Sequence, residues 1–204
     1  MDWILLFLFA YVLGSLPFGV IVARLACGKD PRQEGSQNPG ATNVARICGT
    51  GWGVLVLALD ILKGWLPVFI ALQKQGGWLL VSIAALAAVY GHVYSCFLSF
   101  KGGKAVATTI GAFLAITFWG TVFSAAACIA VILASGYVSL GSLTLAVALP
   151  VFALLTGNVS YIPLGVALTF LLFWRHRENI DRLRNGTEKT WRKKTEEAEE
   201  EDEE

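Results

Sequence analysis

The sequence predicts an all-α fold: a polytopic membrane bundle of seven transmembrane helices, with the N-terminus outside and the C-terminus cytoplasmic. Three observations carry this. Of 204 residues, 55% are hydrophobic and 15% charged, against about 25% charged in an ordinary soluble domain. The mean hydropathy is +0.62. The charges are also segregated: nineteen lie in residues 175–204, twelve in the first 174, and none between Ala105 and Trp174. A soluble fold of this size has too much surface to hide such a stretch. A secreted disulfide domain, a disordered regulator and an ordinary soluble enzyme are thereby excluded.

A bilayer core takes about 20 mostly apolar residues per helix. Trp3–Ala23 supplies the first span. Asp2 precedes it and basic residues follow, the reverse of a cleavable signal peptide. Residues 24–49 read as a polar loop. Gly51–Leu72 is the second span and carries Asp60 and Lys63, whose i, i+3 spacing puts them on one helix face as a structural pair. After a turn at Gln73–Gly77, Trp78–Leu98 is the third span. Ser99–Lys104 is a short basic loop. The uncharged stretch that follows divides into four short spans, with breaks at Trp119–Gly120, Ser135–Gly141 and Thr156–Asn158.

Charge fixes the parity, because cytoplasmic loops collect Lys and Arg. Seven spans place Arg24, Lys29, Arg32, Arg46, Lys101, Lys104 and the eight basic residues of 175–194 on one face, and Lys74 alone on the other. Residues 1–195 are expected to form a single transmembrane domain, and residues 196–204 an acidic, disordered tail. Cys27, Cys48, Cys96 and Cys128 form no CxxC pair and are expected to stay reduced. No cluster has metal-ligand spacing, so no metal is implied. The net charge of +1 gives no nucleic-acid footprint.

Three polar islands fall on the basic face. In the first, Ser36, Asn38, Gly40, Thr42 and Asn43 combine donors with glycine, and Arg46 follows. Glycine lets the backbone approach an anion, and successive N–H groups make an anion nest. The same composition also suits an ordinary interhelical turn. The second island is Lys101-Gly102-Gly103-Lys104, two cations around a flexible pair, which suits a phosphate or simple positive-inside anchoring. The third, Arg175–Leu183, puts Arg175, Asn179 and Arg182 on one helical face, and a lipid surface has no use for Asn179. His92 and His176 lie near the same face, and either has the chemistry of a base or a phosphate ligand. Ser142 is a weaker candidate donor on that face. No GxSxG or HExxH pattern offers a covalent nucleophile or a metal.

These islands resemble the bacterial acyl-phosphate:glycerol-3-phosphate acyltransferases, the PlsY-like integral membrane enzymes. The resemblance runs through Gly14-Ser15-Leu16-Pro17, Gly28-Lys29-Asp30-Pro31-Arg32 and Gly35–Asn43 with Arg46. It continues through Gly91-His92, Phe97–Lys104, Ala107-Thr108 and Gly111, and ends on Arg175-His176, Asn179-Ile180, Arg182-Leu183, Gly186 and Glu188. Gln37 stands where the family usually has Gly, Ser95 where it often has Pro, and Ala105 where a third Gly is usual. The resemblance implies transfer of a fatty acyl group from acyl phosphate to glycerol 3-phosphate, giving lysophosphatidic acid and phosphate, the first acylation of phospholipid synthesis. It implies no cofactor, a place in the bacterial cytoplasmic membrane with the site on the cytoplasmic side, and a functional link to a soluble PlsX-like enzyme that makes the donor.

The expected roles follow. Ser36, Asn38, Gly40, Thr42 and Asn43 cradle one phosphate, with Lys101, Gly102, Gly103 and Ser142 as further phosphate donors. Arg46, Lys104, His176 and Asn179 hold glycerol 3-phosphate. The proton acceptor is His92, His176 or a substrate phosphate oxygen. Two other readings compete. His176 and Asp181 match the spacing of the His-x4-Asp acyltransferases, which use acyl-CoA or acyl carrier protein. Basic loops with an ion pair inside a span also suit an anion transporter.

Overall fold

The computed structural model describes residues 2–191, so the acidic tail expected at 196–204 lies outside the described residues. Ten α-helices and two short 3-10 turns account for its regular structure, and the described residues contain no strand.

The first expected span is broken in two. Helix α1 covers Trp3–Ser15 and α2 covers Phe18–Cys27. Pro17 lies at the break: it has no N–H to donate, and it disfavours helical geometry in the residue before it. The break leaves carbonyls without helical partners inside an apolar medium, where each must find one. Ser95 Oγ donates to Ser15 O at 2.5 Å, and Lys63 Nζ donates to Leu16 O at 2.9 Å. The polar loop then delivers a short helix, α3 (Ala41–Cys48), before α4 (Thr50–Gln73) and α5 (Trp78–Val93).

The uncharged stretch forms the expected four helices: α6 (Val106–Ile116), α7 (Phe118–Ser135), α8 (Val138–Leu155) and α9 (Ile162–Arg175). The first break falls at Thr117, two residues before the expected one. Helix α10 (Arg177–Arg184) turns away from α9 by 61°. By length and composition, five segments can cross a membrane, or six if the bent α9–α10 pair counts as one. Helix α6, with 11 residues, is about 16 Å long and falls short of a bilayer core by itself.

The bundle has two polar ends. At one, the turn after α4 meets the start of α1, with Lys74 Nζ 5.4 Å from the Trp3 ring centre. Thr117 and Thr156 join the α6–α7 and α8–α9 turns by a hydroxyl contact of 2.9 Å. At the other end lie the three islands and the α7–α8 turn, where Gly136 O accepts the Trp191 N–H at 3.0 Å.

Small residues let the helices between these ends approach closely. A Cβ on Gly14 or Gly91 would collide with the backbone between α1 and α5, and one on Gly64 or Gly111 with that between α4 and α6. Close backbone approach is how helices associate in lipid, where apolar burial drives little. Leu6, Val68, Phe113, Leu145 and Leu168 are buried at the centre, whereas Ile4, Trp119 and Phe170 point outward.

The cysteine expectation is corrected for one pair. The ends of α2 and α3 lie side by side, and Cys27 and Cys48 are joined as a disulfide with Cα atoms 5.7 Å apart. That pairing closes the polar loop on itself. Sequence spacing cannot show it, because it depends on how two separate helices pack. Cys96 and Cys128 are free thiols.

Candidate active site

The first island is a loop folded around one amide. Asn43 Oδ1 accepts the Ser36 N–H at 2.8 Å, and its Nδ2 donates to Pro31 O and Glu34 O at 2.8 and 3.0 Å. The side chain is 0% exposed. Asn43 therefore shapes the loop from within, while Ser36, Thr42 and Arg46 stay on the open side and Asn38 and Gly40 are half-buried. Thr42 and Arg46, four apart on α3, share one helix face. At the loop's foot, Asp30 is gripped by Arg32, with Nη2 at 2.6 Å, and by Arg24 at 2.8 Å. The Arg32 hydrogen bonds outweigh the effect of burial and hold the Asp30 carboxyl well below the usual range.

The second island hangs from the end of α5. Gly102 N–H donates to Val93 O at 2.9 Å, and Gly103 N–H to His92 O at 3.1 Å. Arg175 Nη2 reaches over from α9 to Gly102 O at 3.0 Å. Both glycines pack so tightly on His92 that a Cβ on either would collide with it. Lys101 is exposed. Lys104 is half-buried, and burial, reinforced by the charge on Arg182, lowers its ammonium to about 8.

The third island supplies a hydrogen-bonded chain. Lys104 Nζ donates to Asn179 Oδ1, Asn179 Nδ2 donates to Glu188 Oε1 at 2.6 Å, and Arg182 Nε donates to Glu188 Oε2 at 2.7 Å. His176 occupies the bend between α9 and α10. Its Nδ1 lies 2.8 Å from Leu172 O. A carbonyl can only accept, so Nδ1 carries the proton and Nε2 is left with a lone pair. Burial and the neighbouring Lys104 charge lower the imidazole to about 4, so His176 is neutral at physiological pH. Asp181 is exposed, and the His176 Nδ1–H goes to the backbone, so the His-x4-Asp arrangement is not built.

The three islands meet. Pro39 of the first loop and Gly103 of the second line one cavity. Lys104 joins the second loop to α10, and Lys189 Nζ reaches Gly35 O at 3.2 Å. Ser142, near the start of α8 at the same end, donates to Val138 O within its own helix. His92 lies beneath the loops, with Nδ1 3.1 Å from Thr108 Oγ1.

The sequence reading assigned no role to Glu188, although it stood in the resemblance; its side chain is 6% exposed. The available signal was an acidic residue after Gly186 in an otherwise basic segment. The three departures from the family pattern also have a geometry. Gln37 and Ala105 adopt left-handed backbone, at φ 59° and 61°, where glycine is at ease. Ser95, at φ −63°, keeps the backbone angle of a proline.

Residues 4–186 match the family model of glycerol-3-phosphate acyltransferases. A curated glycerol-3-phosphate acyltransferase of Maridesulfovibrio salexigens is 54% identical over 194 residues, covering 95% of this chain and 100% of that one. Another, of Nitratidesulfovibrio vulgaris, is 54% identical over 189 residues; the match covers 93% of this chain but spans only 58% of that relative's length. Among solved structures, PlsY (YgiH), an integral membrane glycerol 3-phosphate acyltransferase in its glycerol 3-phosphate form, superposes with a TM-score of 0.90 at 40% identity, covering 94% of this chain and 96% of that one. Its lysophosphatidic acid form gives a TM-score of 0.87 at 38% identity, with the same coverage. Match along nearly the whole length, in sequence and in fold, places this chain in the glycerol-3-phosphate acyltransferase family of integral membrane proteins.

Proposed function

We propose that this protein transfers a fatty acyl group from acyl phosphate to the hydroxyl of glycerol 3-phosphate, releasing lysophosphatidic acid and inorganic phosphate. The observation that carries this reading is the convergence of three separate phosphate-type islands at one end of an apolar bundle. Both substrates carry phosphate, and the donor's chain is soluble in the bilayer that surrounds the helices.

We assign the roles as follows. Ser36, Asn38, Gly40 and Thr42 offer donors to the acyl phosphate on a loop shaped by Asn43, with Lys101 as a further cation; the expected donors Gly102, Gly103 and Ser142 give their hydrogens to Val93 O, His92 O and Val138 O. Lys104, Arg46 and Asn179 take the phosphate of glycerol 3-phosphate, and His176 Nε2 accepts a hydrogen bond from its hydroxyls. A mixed anhydride is already activated, so the hydroxyl attacks the carbonyl directly and no acyl-enzyme forms. The C–O bond to the glycerol oxygen forms and the bond to the phosphate oxygen breaks. Alignment alone is worth about 7–11 kcal/mol of barrier. The proton passes to a phosphate oxygen: a phosphate monoester with its second pKa near about 6 is a better base at neutral pH than His176, held at about 4, because a base works best near the ambient pH.

The same reading assigns seven crossings, with α1–α2 as the first, α4 to α9 as the rest, and α3 and α10 on the cytoplasmic side of the bacterial inner membrane. The shared end of the three islands and the Thr117–Thr156 contact at the opposite end support this path. Residues 1–195 then form one domain. A soluble PlsX-like enzyme supplies the donor.

The test is turnover by purified protein in lipid with EDTA, using labelled glycerol 3-phosphate and either palmitoyl phosphate or palmitoyl-CoA. Lysophosphatidate from acyl phosphate alone supports the proposal. Product from acyl-CoA overturns the donor assignment, and no product from folded protein overturns the reaction.

A further inference from the structure

Beneath the phosphate loops lies a buried polar cluster that the reaction does not touch. Asp60 and Lys63 face each other on α4, Oδ1 to Nζ 2.7 Å, each 2% exposed. His92, on α5, stands beside them: its Nδ1 is 3.8 Å from Asp60 Oδ1 and 3.1 Å from Thr108 Oγ1 on α6. Asp60 Oδ1 is buried with no hydrogen-bond donor in good geometry, as is Ser15 Oγ. Both residues line a cavity of about 10 Å³, together with Lys63, His92, Pro39 and Gly103. That is the size of a single water site.

An ion pair in a membrane is costly to desolvate, and its usual return is a fixed geometry rather than stability. Here the geometry reaches the second phosphate loop through one ring. Gly103 rests on the His92 imidazole: a Cβ on Gly103 would land on Nε2. The Gly102 and Gly103 N–H groups are tied to Val93 O and His92 O. The height of the loop is thus the height of His92, and Lys104 is the next residue along. Two helices hold the ring in place, α5 through its own backbone and α6 through the Thr108 hydroxyl, while the Asp60 carboxylate of α4 lies alongside, 3.8 Å from Nδ1.

We propose that Asp60, His92 and Thr108 form a positioning cluster that sets the reach of Lys104 toward the acceptor phosphate. The inference rests on the assignment of Lys104 to glycerol 3-phosphate. His92 is then a positioning residue and not the proton acceptor.

The test is a KM split in lipid nanodiscs. Thr108→Val keeps the shape and removes the hydroxyl. It is expected to raise the KM for glycerol 3-phosphate about tenfold, the scale of one lost buried hydrogen bond. The KM for palmitoyl phosphate stays at its original value, the melting temperature falls by only a few degrees, and Thr108→Ser restores the KM to within about twofold. An unchanged KM in Thr108→Val overturns the proposal, as does a KM that rises for both substrates together. If Thr108→Val does not fold, His92→Asn, which keeps a polar group at the Nδ1 position, and His92→Leu, which does not, carry the same comparison. If the unsubstituted protein turns nothing over, the reaction assignment fails by itself. Calorimetric affinity for glycerol 3-phosphate then decides the cluster by the same fold-changes.

Discussion

The side-chain amide of Asn179 donates to the carboxylate of Glu188 at 2.6 Å. This bond fixes which way the amide points. With Nδ2 held by an acceptor-only carboxylate, Oδ1 must face the other way, and there it meets the Lys104 ammonium. Burial alone would raise the Glu188 carboxyl. Hydrogen bonding to it, including that from Asn179 and Arg182, more than offsets this and holds it below its ordinary value. The carboxylate therefore stays ionised and keeps its orienting role.

Glu188→Gln tests this directly. The neutral amide no longer imposes one orientation on Asn179 and leaves Arg182 without its charged partner. A hydrogen bond to a charged group is worth about 1.5–3 kcal/mol, so kcat/KM for glycerol 3-phosphate is expected to fall about ten- to hundredfold. Steady-state turnover with palmitoyl phosphate saturating checks it. An unchanged kcat/KM would remove Glu188 from the site.

Lys104 predicts an alkaline limb. Burial, with the Arg182 charge, lowers its ammonium to about 8. Below that pH the group is charged and attracts the phosphate; as pH rises through it the charge is lost and affinity falls. The profile of kcat/KM for glycerol 3-phosphate reports the free enzyme and is expected to decline above pH about 8, with slope one. In Lys104→Arg the limb disappears, because guanidinium stays charged, at some loss of fit. A limb that survives in the arginine variant would belong to another group.

For His176 the expectation concerns kcat. Loss of a true general base costs about 10²–10⁴-fold. His176→Gln retains a neutral acceptor and, with phosphate taking the proton, is expected to keep kcat within about tenfold of the unsubstituted enzyme. A fall in kcat of the full general-base size would make the histidine the proton acceptor after all. Asp181→Ala is expected to turn over normally, since Asp181 is exposed and His176 is oriented by Leu172 O.

Gln37 offers a stability test. At φ 59° a side chain in left-handed backbone costs about 1–2 kcal/mol. Glycine removes that strain and adds about 0.5–1 kcal/mol of chain entropy to the unfolded state. Gln37→Gly is expected to raise the melting temperature in detergent by a few degrees, about 0.5–1 kcal/mol net. Gln37 is exposed, so no packing is lost. A lower melting temperature would show that its side chain does more than tolerate the turn.

Much of the architecture was legible because it is written locally. The lack of charge from Ala105 to Trp174 announces lipid, and four helices are found there at breaks close to those expected. The placement of Gly, Asn and Lys marked two loops, and that of Arg, His and Asn marked the helix that closes over them. What the local pattern missed was the break at Leu16–Pro17: an apolar run of sufficient length looks continuous, and a proline alone does not say whether a helix kinks or stops. Helix α6 was expected as one of four short spans, and only its end was misplaced, at Thr117 rather than Trp119, because hydropathy marks no end where apolar residues continue past it.

By itself, then, the sequence determined an all-helical membrane protein, its polar islands and the family they resemble, because hydropathy, charge and turn chemistry act over a few residues at a time. Tertiary structure decided the use of each polar group. Asn43, a phosphate candidate from its neighbours, turns inward to build its loop. His92 goes beneath the loops and His176 to the bend between two helices. Cys27 finds Cys48, and Lys104 finds Asn179 across 75 residues of chain. Such pairings depend on helices meeting in space. In a low-dielectric interior each buried polar atom must find a partner, and the packed bundle is what determines which partner is within reach.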